Sequence, residues 1–486
     1  MNIREKIYGL EHPDVATSYS YIGVVYYDLG EYTKAIEYHQ KALKIDEKKL
    51  GIYHPDVATS YNNIGNVYSE LGEYSKALEY LHKALVIDEK VYGLEHPDVA
   101  TSYNNVGSVY SDLGEHAKSL EYHQKALNIR EKFFGIEHPK VALSYNNIGG
   151  VYSELGEYSK ALEYLHKALN IREKILGLEH PSVATSYNNI GSVYSDLGEY
   201  SKSLEYHQKA LSILEKVYGL EHPNVALSYN EIGCSYSYLG EYSKALEYLQ
   251  KALSIYEKVS RLEHLNVANS YNNIGCVYSK LGEHTNELDY YQKALKIEEN
   301  ILGLEHPSVA TRYGNIGSVY SYLGQYAKSI EYYLKTLSIR ENIFGIEHPD
   351  VVILYYYIGI LYSDVEEFFK SLEYFKKVEK FDNLLSNSNF IDYTDNYGYV
   401  LLKLNNPINA IPILEKGIKL SNELYREDNK IINNLLHNLG CAYMLIENYN
   451  KALEYLNKAK ELKEKLGLDV EKTEQRIKEC TEKLGV

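Results

Sequence analysis

The 486-residue sequence has no tryptophan, 2 methionines, 4 cysteines and 10 prolines. So few cysteines in a chain of this length argue against a disulfide framework and favour a reducing compartment. The start of the chain has no apolar signal-peptide core. The longest apolar run, residues 351–362, is too short to cross a bilayer. We therefore expect a cytoplasmic protein without a membrane partner.

Positive charge is also scarce, with 51 Lys and Arg against 67 Asp and Glu and a net charge of −16. No dense run of Lys or Arg offsets this acidity. Such a chain repels nucleic-acid phosphates and anionic lipid, so no nucleic-acid partner is expected. With 45% apolar residues, the chain can still bury a large core.

Tyrosine, in contrast, is abundant at 53 residues, and one short unit is copied many times. The dipeptide His-Pro recurs every 42 residues from His12 to His348, with His264-Leu265 as its variant. A glycine keeps the same interval from Gly23 to Gly359, and Gly398 and Gly440 extend the series. The pattern predicts eleven units, of which nine are regular and two are degenerate.

Each unit has the pattern of two helices. In the second unit, Pro55 suits the first helical position, and apolar residues follow at helical spacing until Leu71-Gly72. A second amphipathic stretch ends at Gly93. Because neither helix can bury its apolar face alone, we expect an all-α superhelical solenoid of stacked helix pairs. The regular Gly and Pro breaks exclude one long coiled coil.

The unit resembles the tetratricopeptide repeat, and its 42-residue period resembles the kinesin light chain subfamily. The Leu-Gly-Glu-Tyr turn, the Tyr-Asn-Asn-Ile-Gly run and the His-Pro-Asp-Val-Ala linker carry the second resemblance. The matching residues of the second unit are Tyr61, Ile64, Gly65, Tyr68, Ala77, Leu81 and Ala84. The resemblance implies a helical array that serves in protein-protein interaction.

We predict nine regular repeats over residues 1–382, two degenerate repeats over 383–466 and a C-terminal capping helix over 467–486. Kinesin light chains carry a heptad coiled coil before their repeats, and this sequence has no counterpart. Residues 1–9 resemble the tail of a second helix, so the array starts in mid-unit. Either the chain is part of something longer, or its uncapped N-terminal unit packs on a partner or associates with another copy.

Signatures of catalysis are absent from the sequence, which has no Walker loop, Gly-x-Ser-x-Gly elbow or Cys-x-x-Cys pair. Nine of the 17 histidines belong to the linker and lie a full repeat apart, too far to share a metal ion. His39, His123 and His207 replace a core leucine of alternate units, and we expect hydrogen-bonded core histidines. Cys234 and Cys276 are expected to be free thiols. We therefore expect no enzyme activity, no metal and no cofactor.

Candidate peptide-binding residues lie on the first helix, where the repeat fold turns side chains toward its concave face. An amide both donates and accepts, so a row of amides can hold an extended chain by its backbone. The Asn63 row consists of Asn63, Asn105, Asn147, Asn189, Asn273 and Asn315, and the Asn62 row includes Asn62, Asn104, Asn146 and Asn188. The alternative, that one asparagine of each pair satisfies backbone or neighbouring-helix groups, stays open.

Two further features define the candidate groove. The acidic row, which includes Asp112, Glu154 and Asp196, is expected to steer a basic ligand, unless it is only a solvated face. The kinesin light chain resemblance implies basic residues that recognise acidic cargo, but this groove lacks most of them. Tyr356 and Tyr357 lie in the apolar run of the ninth unit, covered either by the C-terminal units or by an anchor of the partner.

The leading hypothesis is a non-catalytic scaffold that binds an extended, basic segment of another protein in its concave groove. A second hypothesis makes the chain the sensor or regulatory half of a longer signalling protein. A third is a structural role, with arrays that associate end to end through the first unit.

Overall fold

The computed structural model describes residues 2–259, 264–424 and 430–485. These residues form 24 α-helices and one short 3-10 helix, Asp382–Leu384, and no strand occurs among them. The first helices of the eleven repeats are α2 (Pro13–Asp28), α4 (Pro55–Glu70), α6 (Pro97–Asp112), α8 (Pro139–Glu154), α10 (Pro181–Asp196), α12 (Pro223–Tyr238), α14 (Leu265–Lys280), α16 (Pro307–Tyr322), α18 (Pro349–Asp364), α20 (Asn387–Lys403) and α22 (Lys430–Leu445).

The first helices pack against the second helices of their own repeats, and consecutive repeats stack within residues 1–312 and within residues 313–486. The second helices are α3 (Tyr32–Leu50), α5 (Tyr74–Tyr92), α7 (His116–Phe134), α9 (Tyr158–Leu176), α11 (Tyr200–Tyr218), α13 (Tyr242–Val259), α15 (His284–Leu302), α17 (Tyr326–Phe344), α19 (Phe368–Glu379), α21 (Pro407–Leu424) and α23 (Tyr449–Lys465). The helices α1 (Asn2–Tyr8) and α24 (Glu471–Leu484) lie outside these pairs. The predicted all-α solenoid of eleven helix pairs is confirmed.

The linker histidine of each regular repeat caps the first helix. Its Nδ1 accepts a hydrogen bond from the backbone N–H two residues later, at 3.0–3.2 Å in all nine repeats. One of the N-terminal N–H groups that a helix leaves unpaired is thereby satisfied. An aromatic ring four residues earlier stacks on several of these histidines, as Tyr92 does on His96 with ring centroids 4.4 Å apart. The His-Pro linker therefore marks the start of each regular first helix, with histidine as the N-terminal cap.

The glycine of each first helix marks its closest approach to the second helix. A Cβ atom on Gly65 would lie 2.7 Å from Cγ of Leu81, and one on Gly107 would lie 3.0 Å from the His123 ring. Real Cβ atoms rarely come so close, so the position excludes larger residues. The glycines recur every 42 residues because each one lies where the two helices of a repeat are in contact.

Tyrosine connects each repeat to the next. The Tyr61 hydroxyl donates to Glu47 Oε1 at 2.6 Å, from a first helix to the second helix before it. The same bond recurs at the same spacing of 14 residues from Tyr103, Tyr145, Tyr187, Tyr229 and Tyr271. Since this bridge recurs from one regular repeat to the next, the fold accounts for part of the unusual tyrosine content.

The chain divides into two compact units. Unit 1 extends from Met1 to Arg312 and unit 2 from Tyr313 to Val486. In unit 2 the apolar face of α18 is covered by α20. Tyr356 is only 4% exposed, and its ring meets that of Tyr393 edge-on with centroids 6.4 Å apart. Tyr357 remains 39% exposed. The predicted boundaries at residues 382 and 466 stay a prediction.

In the part of the chain that the structure describes, no helix combines the length and apolarity needed to cross a membrane.

Candidate functional site

Four neighbouring first helices of unit 1, α4, α6, α8 and α10, carry the predicted asparagine and acidic rows side by side. Hydrogen bonds between side chains 43 residues apart connect these helices. We call this surface the first-helix wall. Its residues are Asn62, Asn63 and Glu70 of α4, Asn104, Asn105 and Asp112 of α6, Asn146, Asn147 and Glu154 of α8, and Asn188, Asn189 and Asp196 of α10.

Three amides in the middle of the Asn63 row donate through Nδ2 to the preceding repeat. The N···O distances are 3.3 Å from Asn105 to Asn62, 2.7 Å from Asn147 to Asn104 and 2.6 Å from Asn189 to Asn146. Among the described residues, no donor reaches the Oδ1 atoms of Asn105, Asn147 or Asn189. These three half-buried side chains therefore each commit one N–H of Nδ2 to the wall and keep an acceptor oxygen for another group.

The ends of the Asn63 row differ from its middle. Asn63 donates to Ser20 Oγ at 3.4 Å, because the first repeat has serine where later repeats have asparagine. Oδ1 of Asn273 accepts from Asn272 at 3.3 Å. Asn315 lies in unit 2 and is not part of the wall. The structure thus brings three of the six predicted amides into one equivalent setting.

In the Asn62 row, Asn62 and Asn188 have both the donor and the acceptor of their amides hydrogen-bonded within the stack of repeats. Asn62 donates to Ser102 Oγ at 3.2 Å while its Oδ1 accepts from Asn105. Asn188 donates to Ser228 Oγ at 3.3 Å and its Oδ1 lies 3.1 Å from His207 Nδ1. These bonds hold the row in place within the stack of repeats.

Two of the three core histidines lie behind the wall. His123 and His207 are 2% and 1% exposed, and their Nδ1 atoms lie 3.1 Å from Oδ1 of Asn104 and Asn188. Burial lowers the pKa of these two histidines and of His39 to about 4. All three rings are therefore neutral at physiological pH.

The predicted hydrogen bond is present for His123 and His207. For His39 the prediction was wrong. His39 Nδ1 is buried without a hydrogen-bond partner among the described residues. The position that holds Asn104 opposite His123 holds Ser20 opposite His39, and the shorter side chain makes no bond to the ring.

Serine hydroxyls hold the carboxylates of the acidic row. Ser69 donates to Asp112 at 3.2 Å and Ser153 donates to Asp196 at 3.1 Å, while Ser111 makes the same bond to Glu154. Desolvation, together with the neighbouring carboxylates, raises the pKa of Asp112 to about 6, although the Ser69 hydrogen bond acts to lower it. A row of like charges held one repeat apart favours a cationic ligand.

The wall changes chemically after α10. In α12, Glu231 replaces the asparagine and Tyr238 replaces the acid, and in α14 Lys280 stands at the acidic position. The Tyr238 ring stacks on Tyr200 with centroids 4.8 Å apart, and Lys280 Nζ lies 3.8 Å from the Tyr238 centroid. The acidic row therefore ends at Asp196, and the Tyr238 ring at the next position is covered by the Lys280 ammonium group.

Cys234 and Cys276 lie beside this change and are free thiols, as predicted. Burial raises the pKa of Cys234 to about 12, and Cys276 Sγ lies 3.4 Å from the Tyr291 hydroxyl. A protonated, buried thiol is a poor nucleophile, so Cys234 does not have the setting of a reactive cysteine.

One contact of unit 1 could not be expected from the repeat pattern. The linker before α16 packs against the turn after α4, where His306 Nε2 lies 2.9 Å from the carbonyl oxygen of Glu70. A Cβ atom on Gly72 would lie 2.4 Å from Cδ of Pro307. We call this contact the clasp, defined by Glu70, Gly72, His306 and Pro307. Its His-Pro pair is the same as in other linkers, so the sequence gives no signal for it.

Among the described residues, no three His, Cys, Asp or Glu side chains are grouped so that they could hold a metal ion.

Comparison with known proteins gives one family. The tetratricopeptide repeat matches residues 1–48, 14–90, 56–132, 98–174, 140–216, 182–258, 267–308, 308–383 and 434–466. No curated protein matches the sequence.

Solved structures with similar folds include a putative kinesin light chain with nearly identical TPR-like repeats from Podosopora anserina. It is 26% identical over 43% of this chain and 99% of that chain, with a TM-score of 0.36. BtubC (BKLC) from P. vanneervenii is 20% identical over 48% of this chain and 91% of its own, with a TM-score of 0.38. A Rap protein complexed with competence and sporulation factor is 15% identical over 68% and 99%, with a TM-score of 0.46. The predicted repeat type is confirmed by the family match, and the chain belongs to the tetratricopeptide repeat family.

Proposed function

We propose that unit 1 binds an extended, basic segment of a partner protein along the first-helix wall and catalyses no reaction. Tetratricopeptide repeats suggest a protein-interaction scaffold. The observation that carries the proposal is the set of three acceptor oxygens, on Asn105, Asn147 and Asn189, at one-repeat spacing.

The three equivalent amides of the wall, Asn105, Asn147 and Asn189, offer free acceptor oxygens. Each Nδ2 group already donates one hydrogen bond to the preceding repeat, and ionised carboxylates only accept. A ligand group that binds these oxygens and carboxylates must therefore donate. Backbone N–H groups of an extended chain do so along its whole length, and Lys and Arg side chains add charged donors.

Each part of the wall has its own role in this proposal. The amide oxygens accept backbone N–H groups and so give affinity that is independent of the ligand side chains. Asp112, Glu154 and Asp196 select basic side chains and raise the association rate at low salt. Tyr356 is left out of the proposed site because it is buried in the core of unit 2. Tyr357 lies outside unit 1 and is not needed for the proposal.

Fluorescence anisotropy with a labelled peptide of alternating Lys and Ser tests the proposal, with the Glu-Ser peptide as the charge control. Replacing Asn105, Asn147 and Asn189 by Ala removes three acceptors worth roughly 0.5–1.5 kcal/mol each, so affinity should fall about tenfold or more. Gln124→Ala with Asn128→Ala is the matched control, because this exposed amide pair lies on α7, outside the wall.

Salt dependence distinguishes the charged part of the site from the amides. Exposed charges are screened within about 10 Å at 0.1 M salt. Binding of the Lys-Ser peptide should therefore weaken as salt rises, and Asp112→Asn, Glu154→Gln and Asp196→Asn together should flatten that dependence. Equal affinity for the Lys-Ser and Glu-Ser peptides, or no loss in the asparagine variant, would contradict the proposed function.

A further inference from the structure

Unit 2 contains a cavity that the proposed function does not use. It has a volume of ≈ 620 Å³ and lies between α20, α22 and α24, with Tyr449 at one edge. This volume falls within the range of about 300–1,000 Å³ that is typical of small-molecule sites. Tyr399, Leu402, Met444 and Leu445 form its apolar wall.

The inner end of the cavity is uncharged. His437 Nδ1 lies 3.1 Å from the Thr473 hydroxyl of α24, and its Nε2 lies 3.6 Å from Cys441 Sγ. Burial, together with the nearby cations, lowers the pKa of His437 to about 4. Burial also raises the pKa of the Cys441 thiol. Both side chains are therefore neutral at physiological pH, and this end suits an apolar group.

The rim, in contrast, is cationic. Lys403 of α20 and Lys483 of α24 line the cavity, and neither has an acidic partner among the described residues. Arg476 is paired with Glu479 at 2.8 Å, so these two charges offset each other. The rim thus carries two uncompensated positive charges in a chain whose net charge is −16.

One further carboxylate lies close to the cavity without lining it. Asp395 Oδ1 accepts from Asn438 Nδ2 at 2.7 Å, so the amide of Asn438 stands between this carboxylate and the cavity. Burial raises the pKa of Asp395 to about 6. Its charge does not offset the two rim lysines directly.

We propose that this cavity binds a small amphipathic monocarboxylate, with its apolar chain against Leu402, Met444 and Leu445 and its carboxylate between Lys403 and Lys483. An apolar wall with a cationic mouth fits one such ligand in one orientation, because a buried carboxylate without partners is unfavourable. The helix α24 of the same unit forms one side of the cavity, and the limited volume suits a small molecule.

The absence of tryptophan from the chain makes a sensitive test possible. Leu445→Trp places a single indole in the cavity wall, where Leu445 is 48% exposed and tolerates a larger ring. Phe369→Trp is the matched control, because Phe369 is 80% exposed on α19 and does not line the cavity. Sodium decanoate, kept below its micelle concentration, should change the fluorescence of the first variant saturably and leave that of the second unchanged.

Charge reversal tests the orientation of the ligand. In the Leu445→Trp chain, Lys403→Glu with Lys483→Glu should weaken decanoate binding about tenfold or more, since two attractive contacts become repulsive. Lys478→Glu is the control, because Lys478 is exposed on the same helix and does not line the cavity. Octanoate should bind about fifteenfold more weakly than decanoate, at about fourfold per buried methylene.

Calorimetric titration of the unmodified chain with decanoate guards against a fold defect in any variant. Decan-1-ol should bind more weakly than decanoate, and decyltrimethylammonium should not compete with it. The proposal is overturned if decanoate gives neither heat nor fluorescence change, if decan-1-ol binds equally well, or if charge reversal leaves the affinity unchanged.

Discussion

His306 Nε2 lies 2.9 Å from the carbonyl oxygen of Glu70, a residue 236 positions earlier. The same ring accepts the Ser308 N–H at Nδ1, at 3.0 Å. A carbonyl oxygen can only accept, so Nε2 carries the hydrogen and the ring is neutral. Glu70 ends α4, and its carbonyl belongs to the last turn that a helix cannot satisfy by itself. One histidine thus caps the start of α16 and the end of α4.

The clasp predicts different effects of the same substitution at two turn glycines. Gly72 and Gly114 have φ angles of 70° and 74°, so alanine at either position costs about 1–2 kcal/mol for the left-handed backbone. Only Gly72 faces Pro307, whereas nothing lies within 4 Å of a Cβ atom on Gly114. Gly72→Ala should therefore cost roughly 1–3 kcal/mol more than Gly114→Ala.

Thermal unfolding compares the two variants, and hydrogen exchange of the end of α4 shows whether the contact opens. Faster exchange there is expected in Gly72→Ala alone. His306→Asn is a second test, since asparagine can still cap α16 but cannot reach Glu70 in the same way. Equal losses of stability in the two glycine variants would contradict the clasp.

The core histidines predict a specific dependence of stability on pH. Their pKa of about 4 lies below the value of about 6.5 in an unfolded chain, so the unfolded chain binds more protons in this interval. Stability is therefore fully present above pH 6.5 and falls as pH drops toward 4, by on the order of 2–3 kcal/mol for each histidine.

Replacement of His39, His123 and His207 by Leu should flatten this loss, and alternate repeats already hold leucine at the position. Asp112 has a pKa raised to about 6 and acts in the opposite direction, since protonation relieves its desolvation, but it is present in both proteins. The difference between their urea midpoints from pH 7 to 4.5 isolates the histidines. Parallel curves would show that these rings do not titrate as burial requires.

Ser20→Asn should stabilise unit 1 by supplying the missing partner of His39. The buried Nδ1 of His39 has no partner among the described residues, whereas Asn104 provides one to His123. One buried hydrogen bond contributes about 0.5–1.5 kcal/mol. A rise in the melting temperature that disappears in the His39→Leu background would confirm the pairing, and a rise that persists there would assign the gain to another contact.

Arg312 of α16 and Glu298 of α15 form a buried ion pair near the end of unit 1. Arg312 donates to both Glu298 oxygens, at 2.8 and 3.1 Å, and the two side chains are 7% and 3% exposed. Arg312→Ser leaves the carboxylate buried without its partner and should cost about 3–5 kcal/mol. Adding Glu298→Tyr recreates the Tyr256 and Ser270 pair of the preceding repeat and should restore most of this loss. A double variant as unstable as the single one would contradict this account.

The periodic part of the fold was predictable because each repeat uses the same local contacts. The spacing of the His-Pro linkers located every regular first helix, although the capping bond that the Asp56 N–H donates to His54 was not foreseen. Proline at the first helical position was the available signal, since the residue before it must be the cap.

The sequence placed the asparagine and acidic rows on one face, but it could not show which amide atoms are already paired. That distinction depends on how far adjacent first helices are offset, which sets the bond from Asn147 to Asn104. The clasp depends on the accumulated rotation of about six repeats, and no property of His306 differs in sequence from His180. Both features come from the geometry of stacking.

The most direct test of the central claim changes the ligand backbone. An alternating Lys-Ser peptide and its ester analogue differ only in backbone N–H groups, so their affinities isolate the bonds to Asn105, Asn147 and Asn189. We expect the ester analogue to bind unit 1 of the intact chain about tenfold more weakly, and the triple alanine variant to bind both ligands equally. If the unmodified chain binds the peptide and the ester with the same affinity, the wall does not hold its ligand by the backbone.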